Sequence, residues 1–281
     1  MLRQRVLTAL LLAPLVILLI LLLPTSIFAL LLAVAFLAAT WEWTRLAGMK
    51  VRANRSLLVA FAALVFLALW LLRASTWLWP AMITAGVAWW LLVCVWLRHF
   101  AFGAAPTSEN RNLKLLAGVF VVFPAWVAGV NIHGSDPQVH IWSLPAGHFW
   151  AFLAMLLVWA ADTGAYFAGR FFGKRKLAPQ ISPGKTWAGV YGAFATSALV
   201  VVAGGWLLGV RDVRLMGLIV VAIVTVGSSI VGDLLESLMK RHANVKDSGA
   251  LFPGHGGLLD RLDSVFAALP VFALGKLLLG L

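Results

Sequence analysis

Long apolar runs recur almost from one end of this chain to the other, and they constrain its fold more than any single motif. They occupy positions 6–23, 27–46, 57–72, 77–97, 113–130, 149–168, 187–210, 215–235 and 265–279. A bilayer core offers no partner to a backbone amide or carbonyl, so a chain crosses it most simply as a helix of about 20 apolar residues. The expected fold is therefore an all-α polytopic transmembrane protein of about nine spanning helices. Charged residues make up only 11% of the 281, against roughly 25% in soluble domains. No polar block between the runs is large enough for a separate soluble domain. Residues 1–281 read as one integral membrane domain, with N-terminal helices over 1–132 and the chemistry over 149–281.

The connections between runs set the orientation. Arg3, Arg5, Arg45, Lys50, Arg52, Arg55, Arg98, Arg111, Lys114, Arg170, Lys174, Arg175, Lys176, Lys185, Lys240, Arg241, Lys246 and Arg261 all fall on one side of nine alternating spans, eighteen of the 22 basic residues. Only Arg73, Arg211, Arg214 and Lys276 fall on the other. An excess of Lys and Arg marks the cytoplasmic side, so the N-terminus is expected in the cytoplasm and the C-terminus outside. This asymmetry accounts for much of the formal charge of +12 without nucleic acid, since the basic residues flank spans instead of forming a stripe on a soluble surface. The first run follows Arg3 and Arg5 as a signal peptide would, but its length and the span directly behind it favour a retained helix. Cys94, the single cysteine, has no disulfide partner and no second thiol for a metal site; a lipid-facing or packing role is expected. Trp41, Trp43, Trp77, Trp79, Trp142 and Trp150 lie near span ends, where interfacial aromatics concentrate.

Two basic-side loops are richer than a connection requires. The second, 237–263, mixes cations, carboxylates and glycines, with Asp233 and Glu236 just before it, Asp247 inside it, and Asp260 and Asp263 closing it. Residues at i and i+3 share a helix face, which pairs Asp233 with Glu236 and Asp260 with Asp263. So many acids beside a membrane require a counter-charge. Magnesium, an oxygen-seeking ion that commonly bridges carboxylates to substrate phosphates, is one; salt bridges to Lys240, Arg241 and Arg261 are the other. The run Pro253-Gly254-His255-Gly256-Gly257 brings backbone amides near a phosphate or makes a tight turn. His255 either donates to a leaving phosphate or orients the loop.

The first loop carries Asp162-Thr-Gly at its entrance and Ser182-Pro-Gly-Lys-Thr186 at its exit. Gly184-Lys185-Thr186 looks like the end of a P-loop, but Pro179 stands where the first glycine belongs, and no strand is expected before it. Asp162 falls inside a span, where an acid is either functional or a helix-pairing group.

At these residues the sequence resembles the phosphatidate cytidylyltransferases, or CDP-diacylglycerol synthases. Ser237, Lys240-Arg241, Lys246-Asp247, Gly249, Pro253, His255-Gly256-Gly257 and Asp260-Arg261-Leu262-Asp263 stand at the spacing of that family's motif. The segment 162–173, with Ser182-Pro183 and Lys185-Thr186, matches a second, weaker pattern, so the likeness covers roughly the last 120 residues well and the N-terminal half mainly in hydropathy. Two positions depart from it: Ala188, where relatives often carry a polar or acidic residue, and Asn244, where glycine is common and where Asn tolerates positive φ.

The resemblance implies transfer of the cytidylyl group of CTP to phosphatidate, giving CDP-diacylglycerol and pyrophosphate for phospholipid synthesis. The site is expected at the cytoplasmic face of the inner membrane, with Mg2+ and, in some members, a monovalent cation such as K+. It implies Asp247, Asp260, Lys246, Arg261 and His255 as catalytic residues, and Asp233, Asp247, Asp260 and Asp263 as metal ligands. Ser182, Lys185, Thr186, Lys240, Arg241, Gly256 and Gly257 are then substrate-binding. CTP, phosphatidate and bilayer lipid are the expected partners, nucleic acid is not, and a homo-oligomer stays open. A cytidylyltransferase for another lipid phosphate would carry the same head-group machinery. The carboxylate pattern of CDP-alcohol phosphotransferases is absent, and a cation-coupled transporter would gather its polar residues on broken helices at mid-membrane.

Overall fold

The computed structural model describes residues 2–251 and 256–281, with the side chains of its first helix from residue 12 onward. Among these residues the chain forms nine helices: α1 (Leu2–Leu22), α2 (Thr25–Leu46), α3 (Arg52–Leu71), α4 (Leu78–Trp96), α5 (Ser108–His133), α6 (Ala146–Phe172), α7 (Trp187–Leu207), α8 (Asp212–His242) and α9 (Leu259–Leu278). Two short antiparallel pairs interrupt them, β1 (His140–Ile141) with β2 (Leu144–Pro145) and β3 (Lys176–Ala178) with β4 (Ser182–Thr186). Each expected span has its own helix, and α2 to α8 are each long and apolar enough to cross a membrane. The apolar stretch of α9 is framed by Asp260, Arg261 and Asp263 in its first turns and Lys276 near its end.

Helices run past the apolar stretches where the polar chemistry lies. α8 continues to His242 and α9 begins at Leu259, because a helix satisfies its own backbone in water as in lipid and needs apolar side chains only within the hydrocarbon. Consecutive helices alternate in direction, and long-range contacts identify the two ends. At one end the His133 ring bonds the Thr25 hydroxyl (3.0 Å) and the Ile20 carbonyl (2.8 Å), while Lys276 pairs with Asp136 at 2.8 Å. At the other, His242 bonds the Phe100 carbonyl (2.7 Å), and Arg241 donates to the Ile181 carbonyl (3.1 Å). Arg45 of α2 reaches the carbonyls of Asp247 and Ser248 at that same end. The connections rich in Lys and Arg thus share one face, here termed the basic end.

The core centres on α5 and α9. Trp126 is fully enclosed and donates to the Ala29 carbonyl at 3.0 Å, and Phe36 meets Phe266 edge to face at 4.7 Å. Trp43, Trp79 and Trp150 are buried in this core instead of facing the interface, and Trp43 and Trp79 donate their indole N–H to the carbonyls of Lys114 and Leu69. Proximity to a span end does not distinguish a packed indole with a carbonyl partner from an interfacial one. Trp77 and Trp142, by contrast, are largely exposed, and Cys94 is exposed on α4.

Candidate active site

Close helix packing assembles the site. α8 meets α9 at Gly232, where an added Cβ would strike the Asp263 carbonyl; small residues of this kind let membrane helices approach. One turn further, Asp233, Glu236, Ser237 and Lys240 project from one side of α8 toward the start of α9. The Ser237 hydroxyl donates to Asp233 at 3.3 Å. Lys240 bridges the two helices, in ion-pair contact with Glu236 of its own helix and 2.7 Å from Asp260 of α9.

The β3–β4 hairpin supplies the facing cation. Lys176 pairs with Thr186 and Ala178 with Ser182, and Thr186 then caps α7 by accepting from the Gly189 amide at 3.1 Å. Gly184-Lys185-Thr186 is therefore the outgoing arm of a hairpin, and the strand that precedes it is antiparallel, unlike the parallel strand of a P-loop unit. This arm holds Lys185 2.5 Å from Asp233. Together they line a cavity of about 620 Å³ with Asp162, Tyr166, Arg170 and Ile230, formed between α6, α7, α8 and the hairpin. Asp162 lies within electrostatic reach of Asp233, Lys185 and Arg261. Its place on the cavity wall favours the functional reading of that acid over helix pairing.

Asp260 is committed to the protein. One oxygen accepts from Lys240 at 2.7 Å; the other accepts from the Ser248 amide (3.0 Å), the Ser248 hydroxyl (2.9 Å) and the Gly257 amide (2.7 Å). Gly256 has φ +82°, and a Cβ there would come within 2.5 Å of the same carboxylate. The glycine is thus required both by its conformation and by the acid behind it. Asp263 accepts from the Ser264 amide at 2.7 Å and lies near Asp233. Asp247, Lys246 and Arg241 are exposed: Asp247 joins the structure through its carbonyl, and Arg241 ties α8 to the hairpin. Asn244 adopts φ +53°, with the Val245 and Asn244 amides closing on the Lys240 and Arg241 carbonyls. That is the left-handed helix ending normally made with glycine. His255 and its neighbours Pro253 and Gly254 lie outside the described residues.

Sequence reasoning missed Glu42. This α2 residue is only 8% exposed, and its carboxylate accepts from the Ser248 hydroxyl (2.9 Å), the Leu258 amide (3.2 Å) and the Leu259 amide (2.8 Å). It caps the N-terminus of α9 from another helix, where exposed amides favour a negative charge. Gly249 and Gly257 lie so close that a Cβ on either would collide with it. The signal was present: Glu42 is the only acid among the first 108 residues and falls inside an expected span, the same criterion that singled out Asp162.

Five carboxylates, Asp162, Asp233, Glu236, Asp260 and Asp263, interact here with three cations, Lys185, Lys240 and Arg261. Both Glu236 oxygens are buried, with Lys240 and Asp260 as their polar neighbours. The donor chemistry thus suits a hard cation, although among the described residues no three acidic, His or Cys side chains converge as a ready ligand set.

A model of the cytidylyltransferase family matches residues 3–278. The chain belongs to that family. It is a nucleotidyltransferase by membership, and its full-length relatives agree. A Haemophilus influenzae protein named phosphatidate cytidylyltransferase is 38% identical over 97% of this chain and 98% of its own. A Pseudomonas aeruginosa protein of the same name is 41% identical over 97% of this chain and 96% of its own. One from Bacillus subtilis is 42% identical over 44% of this chain.

Proposed function

We propose that this cytidylyltransferase transfers the cytidylyl group of CTP to phosphatidate, releasing pyrophosphate and leaving CDP-diacylglycerol in the membrane, with the basic end facing the cytoplasm. The observation that carries the reading is the cavity between α6, α7 and α8. It joins an ion-paired polar floor, Lys185 with Asp233, to apolar walls that include Ile230, Val190 and Leu177. A lipid phosphate enters such a space with its head in the polar part and its tails in the bilayer.

In the reaction, an oxygen of the phosphatidate phosphate bonds to the α-phosphorus of CTP, and the bond from that phosphorus to the bridging oxygen of pyrophosphate breaks. The nucleophile is already anionic, so no strong base is required; the barrier lies in bringing two polyanions together and stabilising the leaving charge. Lys185 is placed to neutralise and orient phosphate oxygens at the cavity, and Arg261 to act beside Asp162. Lys240, held between Glu236 and Asp260, fixes the start of α9 and with it Arg261 and Asp263. Ser182, Thr186 and Arg241 position the hairpin bearing Lys185. Lys246 and Gly256, in the connection between α8 and α9, would face phosphate oxygens, while the Gly257 amide is held by Asp260; His255 would act on the leaving pyrophosphate.

Asp233 and Asp263, which lie near each other, would hold Mg2+ together with phosphate oxygens of the substrate, with Asp247 available from the connection between α8 and α9; the ion when bound supplies charge neutralisation for the triphosphate and its leaving group, and K+ is a candidate companion. With both oxygens given to protein donors, Asp260 serves as the loop's anchor. The test is purified protein in detergent with CTP, Mg2+ and phosphatidate, following pyrophosphate and the CDP-lipid. A CDP-lipid formed from another lipid phosphate but not from phosphatidate would refute the substrate assignment.

A further inference from the structure

A second cavity, of about 1120 Å³, opens at the basic end between α2, α3, α5 and the end of α8, and no residue lines both it and the transferase cavity. Its lining includes Arg45, Lys50, Arg55, Arg111, Lys114 and His242, and no carboxylate. Topology accounts for basic residues at this end of the molecule, but not for where Lys114 sits. Lys114 is only 6% exposed, and its ammonium has no hydrogen-bond or ion-pair partner among the described residues. The other buried lysine, Lys276, is paired with Asp136. The buried stem of Lys114 thus delivers its ammonium to the cavity with no counter-charge from the described residues.

Helix ends do not supply the missing charge. α2 and α8 both terminate here, and two helix C-termini together amount to about one negative charge. Arg45, Lys50, Arg55, Arg111 and Lys114 are five formal positive charges. Two of these are already engaged in holding the protein together: Arg45 on the Asp247 and Ser248 carbonyls, and Arg55 on the Trp41 carbonyl and stacked over the Trp41 ring. Lys50, Arg111 and Lys114 remain to face the cavity.

We propose that this cavity is a binding site for a phosphate-bearing anion, separate from the transferase site. Its position at the helix ends, with Val51 on its wall and exposed, lets the phosphate arrive either on a lipid head group or as a soluble ion. Arg45 connects the site to the segment between α8 and α9, since the side chain that lines this cavity also holds the Asp247 and Ser248 carbonyls.

The test uses full-length protein in detergent, carrying Lys185→Ala to disable the transferase cavity and kept in EDTA. Binding of phosphatidylglycerol is measured by native mass spectrometry with diacylglycerol as the phosphate-free control, and binding of inorganic pyrophosphate by calorimetry. Adding Lys114→Met or Arg111→Gln should weaken the phosphate ligand at least roughly tenfold, the scale of losing one charge-assisted hydrogen bond, while Arg98→Ala leaves it unchanged. The probe that weakens identifies the source, lipid or soluble. Should Lys114→Met not fold, the exposed Arg111→Gln decides alone. Phosphatidylglycerol binding no tighter than diacylglycerol excludes the lipid source, and the proposal is overturned if neither probe is weakened.

Discussion

Replacing Glu42 by Gln isolates the link between the N-terminal helices and the active-site loop, because it preserves shape and removes one acceptor oxygen and the charge. The carboxylate receives three donors: the Leu258 amide on one oxygen, and the Leu259 amide with the Ser248 hydroxyl on the other. The least damaging orientation of the Gln amide sets its NH2 against the Leu258 N–H and keeps its oxygen for the other two. One buried N–H then lacks a partner, costing about 1–3 kcal/mol, and the charge at the α9 N-terminus is lost, about 0.3–1 kcal/mol. The sum, roughly 1–4 kcal/mol, raises the opening constant of the 244–258 loop between about fivefold and several hundredfold at 1.4 kcal/mol per factor of ten. Hydrogen exchange at the Gly257, Leu258 and Leu259 amides reads that opening directly, and CDP-lipid formation should fall with it. Gly257→Ala, whose Cβ would meet the same carboxylate, should produce the same loss of protection with Glu42 intact. Glu109→Gln, at an exposed helix start, is the control. Protection within twofold of the parent in a folded Glu42→Gln protein would refute the reasoning.

Asp260→Asn should lower turnover by about a hundredfold or more with the magnesium half-saturation unchanged, whereas Asp233→Asn and Asp263→Asn should raise the magnesium required; a raised requirement in Asp260→Asn returns that residue to the metal's ligands. Lys185→Ala should reduce CTP affinity or turnover far more than Arg98→Ala, and equal small effects in steady-state kinetics would leave Lys185 only a topological charge. In a Cys94→Ala background, Ala250→Cys should resist an impermeant thiol reagent added to intact cells and Gln138→Cys should react; the reverse pattern inverts the orientation. Burial opposes ionisation of Asp136, but the hydrogen bond and charge of Lys276 outweigh it and hold the carboxyl below its ordinary 3.8. A carboxyl with a depressed folded-state pKa stabilises fully above its unfolded value and loses that contribution as pH falls through the folded one. Asp136→Asn should therefore lower Tm near neutrality and flatten its fall below about pH 4; parallel Tm curves for the two proteins would sever the link.

The spans were legible because lipid imposes a length and polarity rule on each one separately, and each expected run does lie in a helix. Positions of helix ends were not legible, since nothing in hydropathy stops α8 from running on to His242 or α9 from starting at Leu259 once the chain leaves the apolar layer. The acids on α8 and α9 were found by local spacing, but their division of labour was not. Whether Asp260 faces a metal or the Ser248 and Gly257 amides depends on how a loop 12 residues away folds back, and i, i+3 spacing carries no information about that. Glu42 failed for the same reason at longer range, being 206 residues from its Ser248 partner. The run 253–257 was read as a surface for phosphate or a tight turn; Gly257 of that run, and Gly249 outside it, leave room for a carboxylate of the protein itself.

That last point changes how the glycine-rich loop is understood. A loop whose amides served only substrate would be ordered only when substrate is bound, because exposed backbone donors without partners favour water. Here Glu42 and Asp260 approach from opposite sides and meet at the Ser248 hydroxyl, whose single proton goes to one carboxylate at a time. The Leu258 and Leu259 amides are taken by the first acid, and the Ser248 and Gly257 amides by the second. With Arg45 on the Asp247 and Ser248 carbonyls, the loop is anchored on both donors and acceptors before any nucleotide arrives. Preorganisation of this kind places the cost of ordering in folding instead of in each catalytic cycle. It also gives α2 a reason to be retained: through Glu42 and Arg45 it sets the position of α9's first turn, which carries Arg261 and Asp263.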